Sequence, residues 1–241
     1  MLKSILFSVV MTVGVLGAAC NKPSELPLAG HNSWEWMLST YVDGSGVVNY
    51  SAWRGQLDAL KEVVQRMGMQ APGDNASRAE KMAYWINLYN ASTVLLIVDN
   101  YPVSSIMDLD KGKVWDRKWI KVGDKLLSLN NIENDILRPQ FQDPRIHFAV
   151  NCAAKSCPPL WNHAWTAANL EKTLDERTRL FINHPAYNEI SPSAIRISKI
   201  FEWYAKDFGH IIDYINKYSK VKVNNDATIS YIPYQWALNG R

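Results

Sequence analysis

The chain has 241 residues, 47% of them hydrophobic and 20% charged, with a formal net charge of +3. That balance excludes a disordered polyelectrolyte, and 3 cysteines are too few for a disulfide-dense scaffold. Lys and Arg (26) nearly cancel Asp and Glu (23), with no long run of either sign, so nucleic acid is not an expected partner.

The N-terminus reads as an export signal. Met1-Leu2-Lys3 forms a short basic start, and Ile5 to Ala19 is apolar or small except for Ser8 and Thr12. This run is shorter than the roughly 20 residues a membrane span needs, so residues 1–19 are expected to be a signal peptide. Gly17, Ala18 and Ala19 lead directly into Cys20, which resembles the lipobox of bacterial lipoproteins, although Gly17 stands where a large aliphatic residue is usual. The expectation is an exported protein held at the membrane by acylated Cys20, or else a periplasmic one, with residues 20–30 as a tether.

No repeat or low-complexity block follows, so residues 31–241 are expected to form a single globular domain. Val47 to Tyr50 suits a short strand. Ser51 suits a helix N-cap, after which Trp53, Leu57, Leu60, Val64 and Met67 share one helical face. Ser77 and Glu80 make a capping-box pair for a helix from Arg78 to Val98, stopped by Tyr101-Pro102. Gly123-Asp124 sits between two β-like runs and predicts a hairpin. Asn130 with Glu133 predicts a helix ended by Pro139, and Ile146 to Val150 reads as a buried strand carrying His147. A helix from Thr166 to Phe181, a strand at Ile195 and Ile197, and a helix from Ile200 to Phe208 capped by Ser198 and ended by Gly209 complete the pattern. The class is α+β: helices packed around a small, mostly antiparallel sheet.

Three segments carry a resemblance: Glu80-Lys-Met-Ala-Tyr-Trp-Ile-Asn-Leu-Tyr-Asn-Ala91, Asp143 to Pro159 with its Asn-Cys-Ala-Ala-Lys-Ser-Cys-Pro-Pro run, and Ile197 to Phe208. Together they resemble the signature blocks of domain-of-unknown-function family 547, over most of residues 31–220. The resemblance suggests a relation to papain-like thiol enzymes. It implies no established activity.

The chemistry is read from the residues. A thiol hydrolase needs a nucleophile, a base, a group that orients the base and donors for the oxyanion. Cys152 is the candidate nucleophile and His147, five residues before it, the candidate base. Glu80, Asn87 and Asn90 fall near one helix face, which makes the two asparagines candidates to orient the imidazole or bind an oxyanion and Glu80 a candidate binding residue. Glu80 has a second role open to it as the capping partner of Ser77. Asn151, beside the thiol, and Trp161, in an irregular segment, are candidate binding residues; Trp165, Trp115 and Trp119 could also line a groove, whereas Trp53, Trp85 and Trp203 suit a core.

The rival assignment is a Cys152–Cys157 disulfide, which a tight turn over residues 153–156 would close. The spacing of His147, Cys152, Cys157 and His163 matches no standard zinc site, so no metal is expected, and no cofactor either. The sequence therefore supports a cysteine-dependent amide or ester hydrolase of the cell envelope. The alternative is a non-catalytic envelope interaction module stiffened by the disulfide, binding a peptide, protein or small molecule of unknown identity.

Overall fold

Ser33 accepts the N–H of Trp36 and so starts helix α1 (Trp34–Tyr41), the first element of the computed structural model, which describes residues 33–241. The expected signal peptide, Cys20 and the tether at residues 20–30 lie outside the described residues. Val47 to Tyr50 does not form a strand: Val48 alone bridges, to Val42 and Gly240, and Tyr50 already belongs to α2 (Tyr50–Trp53). Asn49 caps that helix, not Ser51, because its side chain accepts the Ala52 N–H. A 3-10 turn over Arg54–Gln56 then separates α2 from α3 (Leu57–Met69), so the apolar face expected from Trp53 to Met67 is shared by two helices.

The centre of the fold is α4 (Arg78–Asn100), whose capping box forms as expected between Ser77 and Glu80. Every residue from Leu88 to Val98 is buried, including Asn90, Ser92 and Thr93. Buried polar side chains usually find internal partners; Asn90 finds them in the site described below, whereas the Ser92 and Thr93 hydroxyls have none among the described residues.

Strands β1 (Ile120–Val122) and β2 (Lys125–Leu127) form the antiparallel hairpin, with Gly123 at φ 55° in the turn. The hairpin lies so close to α3 that a Cβ on Gly68 would come within 1.9 Å of the Lys121 carbonyl oxygen. Beyond it, Ser128 and Asn131 exchange side-chain and backbone hydrogen bonds and replace the expected cap at Asn130. They open a π-helical segment, Asn131–Leu137, that runs on into α5 (Arg138–Phe141). Pro139 does not end this helix; at the start of α5 its missing N–H does little harm, and Gln142 in the left-handed region closes it instead.

The Ile146 to Val150 strand is also corrected. Asp143 accepts the Arg145 N–H and Pro144 follows it, which winds Pro144–Phe148 into a 3-10 turn. Ile146 packs into the larger core around α4, while Phe148 packs into a second core of Phe181, Ile197, Phe201 and Phe208. The side chain between them, His147, is held where the two cores meet.

Helix α6 (Leu170–Ile182) precedes a three-stranded sheet of order β3–β4–β5, from Glu189–Ile190, Ala194–Ser198 and Thr228–Ile232. The β3–β4 pair is antiparallel and β4–β5 parallel. The helix expected from Ile200 to Phe208 is two short ones, α7 (Ile200–Trp203) and α8 (Ala205–Phe208), parted at Tyr204 and followed by Gly209 at φ 65°. Helix α9 (Ile211–Tyr218) covers the second core. The fold is α+β. No helix among the described residues is long and apolar enough to cross a membrane.

Candidate active site

Two asparagines shape the loop that carries Cys152. Asn90, reaching out of α4, accepts the Asn151 N–H at 2.8 Å and donates to the Ala149 carbonyl at 2.9 Å. Asn151 in turn accepts the Ala153 N–H at 2.9 Å and donates to the Pro158 carbonyl at 2.8 Å. These bonds hold a tight turn with Ala153 at φ 62°, a left-handed conformation that a side chain with a Cβ rarely takes. Cys152 sits at the bend of that turn.

Its thiol and its backbone N–H each have a close partner. The Tyr234 hydroxyl lies 3.1 Å from Sγ, and the Cys152 backbone N–H donates to Cys157 Sγ at 2.9 Å. Tyr234 is brought there because the chain after β5 runs along the cysteine loop, with Lys155 and Ser156 donating to the carbonyls of Ala237 and Gln235. Both cysteines are free thiols. The hydrogen bond from Cys157 holds the Cys152 thiol below its ordinary pKa against the opposing effect of burial, aided by Tyr234 and by the Ala154 N–H. Burial and the neighbouring Cys152 push Cys157 the other way, well above the thiol range. The pair is therefore asymmetric, with the ionisable sulfur at Cys152 and a neutral S–H donor at Cys157.

The imidazole of His147 is buried, and its Nε2 lies 2.8 Å from Asp207 Oδ2. Asp207, on α8, is also gripped by Arg138 through two bonds of 2.6 and 2.9 Å. His147 and Arg138 together hold the Asp207 carboxyl well below the usual carboxylate range. The His147 ring stacks on Tyr204, with centroids 4.0 Å apart, and the Tyr204 hydroxyl donates to Glu133 at 2.7 Å. The break between α7 and α8 is what turns Tyr204 and Asp207 toward the same ring.

Cys152, His147, Glu133, Tyr204 and Tyr234 line one cavity of about 200 Å³, closed by Tyr89, Val150, Ile200 and three tryptophans. No hydrogen bond among the described residues joins His147 directly to Cys152; they share the cavity wall. In comparison with known families, residues 74–182 match one described as a protein of unknown function, DUF547. The chain carries a DUF547 domain. No curated protein and no solved structure matches the chain.

The DUF547 match spans α4, Glu133, His147 and both cysteines, and stops at the end of α6. Tyr204 and Tyr234, which line the cavity, and Asp207, which holds His147, follow it. Several residues expected at the site are elsewhere in the DUF547 domain. Asn87 accepts the Trp165 N–H and the Trp34 indole N–H and donates to the Trp165 carbonyl, so it straps a loop to α4. Glu80 is occupied at the helix start, accepting the Ser77 N–H at 2.7 Å. Trp161 packs on Trp165 at 5.2 Å and does not line the cavity. Asn90 and Asn151 act behind the thiol, through the turn.

Other residues of the cavity were not expected there. Trp203, read as core, is 47% exposed at the cavity wall. Asp207, outside the cavity lining, stands in the third signature block but reaches the His147 ring only through the helix break at Tyr204. Tyr234 offered no local signal, since only the return of the C-terminal segment, 82 residues after Cys152, brings it to the sulfur. Glu133 was assigned to a cap, whereas the π-helical turn directs it to the Tyr204 hydroxyl.

Proposed function

We propose that the cavity is the active site of a cysteine-dependent hydrolase of amides or esters, with Cys152 as nucleophile and His147 as base. One observation carries this reading: an acidified thiol and an imidazole tied to a carboxylate line the same small cavity. Donation from Nε2–H to Asp207 leaves Nδ1 as the basic nitrogen of the neutral ring. That nitrogen takes the Cys152 proton, directly or through one water.

The thiolate then attacks the acyl carbon. A C–S bond forms and the carbonyl electrons move to oxygen, where the Tyr234 hydroxyl is a donor within reach of the reacting sulfur. As the carbonyl re-forms, the C–N or C–O bond breaks and the leaving group takes the proton from His147. Water attacks the thioester, giving a proton to His147; the C–S bond breaks, the acid departs and the proton returns to sulfur. Asp207 keeps the imidazole in one tautomer and stabilises its cationic form throughout.

The apolar run before Cys20 supports an exported protein, lipid-anchored or periplasmic, and hence a substrate in the cell envelope. Incubation with p-nitrophenyl acetate tests the chemistry. An acetyl adduct on Cys152, found by mass spectrometry of a rapidly quenched sample and absent in Cys152→Ser and His147→Ala, is the expected result. Release of p-nitrophenol at an unchanged rate in both variants contradicts it.

A further inference from the structure

The wall that continues from Tyr234, the ring beside the thiol, is aromatic, and it shares the cavity with the carboxylate of Glu133. Trp203 and Tyr234 meet with centroids 4.8 Å apart and planes at 51°, Tyr234 and Trp236 at 4.6 Å and 53°, and Trp115 and Trp236 at 5.8 Å and 67°. With Trp203 stacked on Trp236 at 5.8 Å and 23°, these rings touch one another and form one continuous aromatic surface along the cavity. Trp203 is 47% exposed and contiguous with Tyr234 and Trp236, so the cavity mouth carries an apolar patch larger than a single side chain, a feature of interaction sites.

Among the described residues, Glu133 is the sole carboxylate lining the cavity, and neither Lys nor Arg lines it. One Glu133 oxygen accepts the Tyr204 hydroxyl, and no other hydrogen bond to Glu133 is made among the described residues, which leaves an acceptor for a ligand. Arg138, whose guanidinium lies 4.9 Å from the Tyr204 ring centroid, is held by Asp207 through two bonds. Aromatic faces attract cations through their quadrupole, and a carboxylate adds to that attraction.

We propose that the cavity selects a substrate bearing an ammonium group, a primary amine or a quaternary one, seated against the continuous surface of Trp115, Trp203, Tyr234 and Trp236 and paired with Glu133. This rests on the thiol-hydrolase reading in treating the cation as part of the molecule whose acyl group meets Cys152. An acyl compound carrying a carboxylate or phosphate at the same position would meet Glu133 and the thiolate, and is excluded by repulsion.

Three methanethiosulfonate reagents separate the two claims on the full chain. Each reacts when a thiolate attacks its sulfenyl sulfur, forming a mixed disulfide and releasing methanesulfinate. The probes carry a 2-(trimethylammonio)ethyl, a 2-sulfonatoethyl and a methyl group. At 0.15 M salt, the ratio of cationic to anionic rate at Cys152 is expected to exceed that of free cysteine by about 10-fold or more. Trp203→Ala and Trp236→Ala, both at partly exposed rings, should bring the ratio toward the free value while the methyl reagent still reacts.

A ratio equal to that of free cysteine, with the methyl reagent reacting at Cys152, overturns the cation proposal and leaves the thiol reading standing. If no reagent modifies Cys152, the thiol reading fails, and tetramethylammonium alone decides the cation proposal. Saturable quenching of tryptophan fluorescence that is lost in Trp203→Ala supports it; no saturable change overturns it.

Discussion

Asp207 Oδ2 lies 2.8 Å from Nε2 of His147, a residue 60 positions earlier, and Arg138 donates to both oxygens of the same carboxylate. The arrangement orients a buried imidazole by a charged group that is itself fixed. Asp207→Asn retains the shape and removes the charge, and its amide can present N–H to Nε2 and so reverse the tautomer. Cys152 acylation should fall by about 10²- to 10⁴-fold, the range seen when the orienting carboxylate of a nucleophile–histidine pair is neutralised. Stopped-flow acylation with p-nitrophenyl acetate measures it, and a loss smaller than about 3-fold would remove Asp207 from the mechanism.

Cys157 contributes through its proton. Because the S–H of Cys157 is the first cause of the low Cys152 pKa, Cys157→Ala should raise the pH at which Cys152 reacts with iodoacetamide. The midpoint of the rate-against-pH curve should move upward, while the plateau rate at high pH stays within about 2-fold, since the thiolate itself is unchanged. A midpoint that stays in place would show that Tyr234 and the Ala154 N–H suffice.

Asn87 and Asn90, both on α4, should part company. Asn90→Ala leaves the Asn151 N–H and the Ala149 carbonyl buried without partners and should destabilise the fold by about 2–4 kcal/mol in urea unfolding. It should also slow Cys152 alkylation, because it releases the turn. Asn87→Ala should destabilise by about 1–2 kcal/mol through the Trp165 loop and leave the alkylation rate unchanged. Equal effects of both variants on alkylation would argue that Asn87 reaches the site.

Acid should destabilise the protein in a defined direction. The carboxyls of Asp207, paired with His147 and Arg138, and of Asp143, bonded to Arg145 despite burial, have folded pKa values below the unfolded value of about 3.9. A depressed folded pKa contributes stability that is present above the unfolded value and is lost as pH falls through the folded one. Urea midpoints should therefore decline as pH drops from about 5 toward 2, with a shallower decline in Asp143→Asn. A midpoint that rises with acidification would contradict these pairings.

Much of the frame was legible in the chain. The Ser77–Glu80 box, the Gly123-Asp124 hairpin and the Ile195/Ile197 alternation each rest on local rules, backbone satisfaction and period, that tertiary contacts did not override. The segment at Ile146 to Val150 misled because five apolar residues suit a strand or a buried turn equally, and Asp143-Pro144 decided the matter. At the site, the Cys152 and His147 pair could be named from its spacing in one block. Asp207, Glu133 and Tyr234 could not, since a helix break at Tyr204, a π-helical turn and the path of the last residues bring them in. Asn87 was misassigned because helical spacing gives a face and not what lies against it.

The central claim is that Cys152 is a low-pKa nucleophile served by His147. It is tested most directly by iodoacetamide modification followed residue by residue with mass spectrometry between pH 5 and 10. The account predicts that Cys152 is modified ahead of Cys157, with a midpoint below the free-cysteine value of about 8.5, and that His147→Ala slows acyl transfer to it. Modification of Cys157 first, or a Cys152 midpoint at or above the free value, would contradict the account.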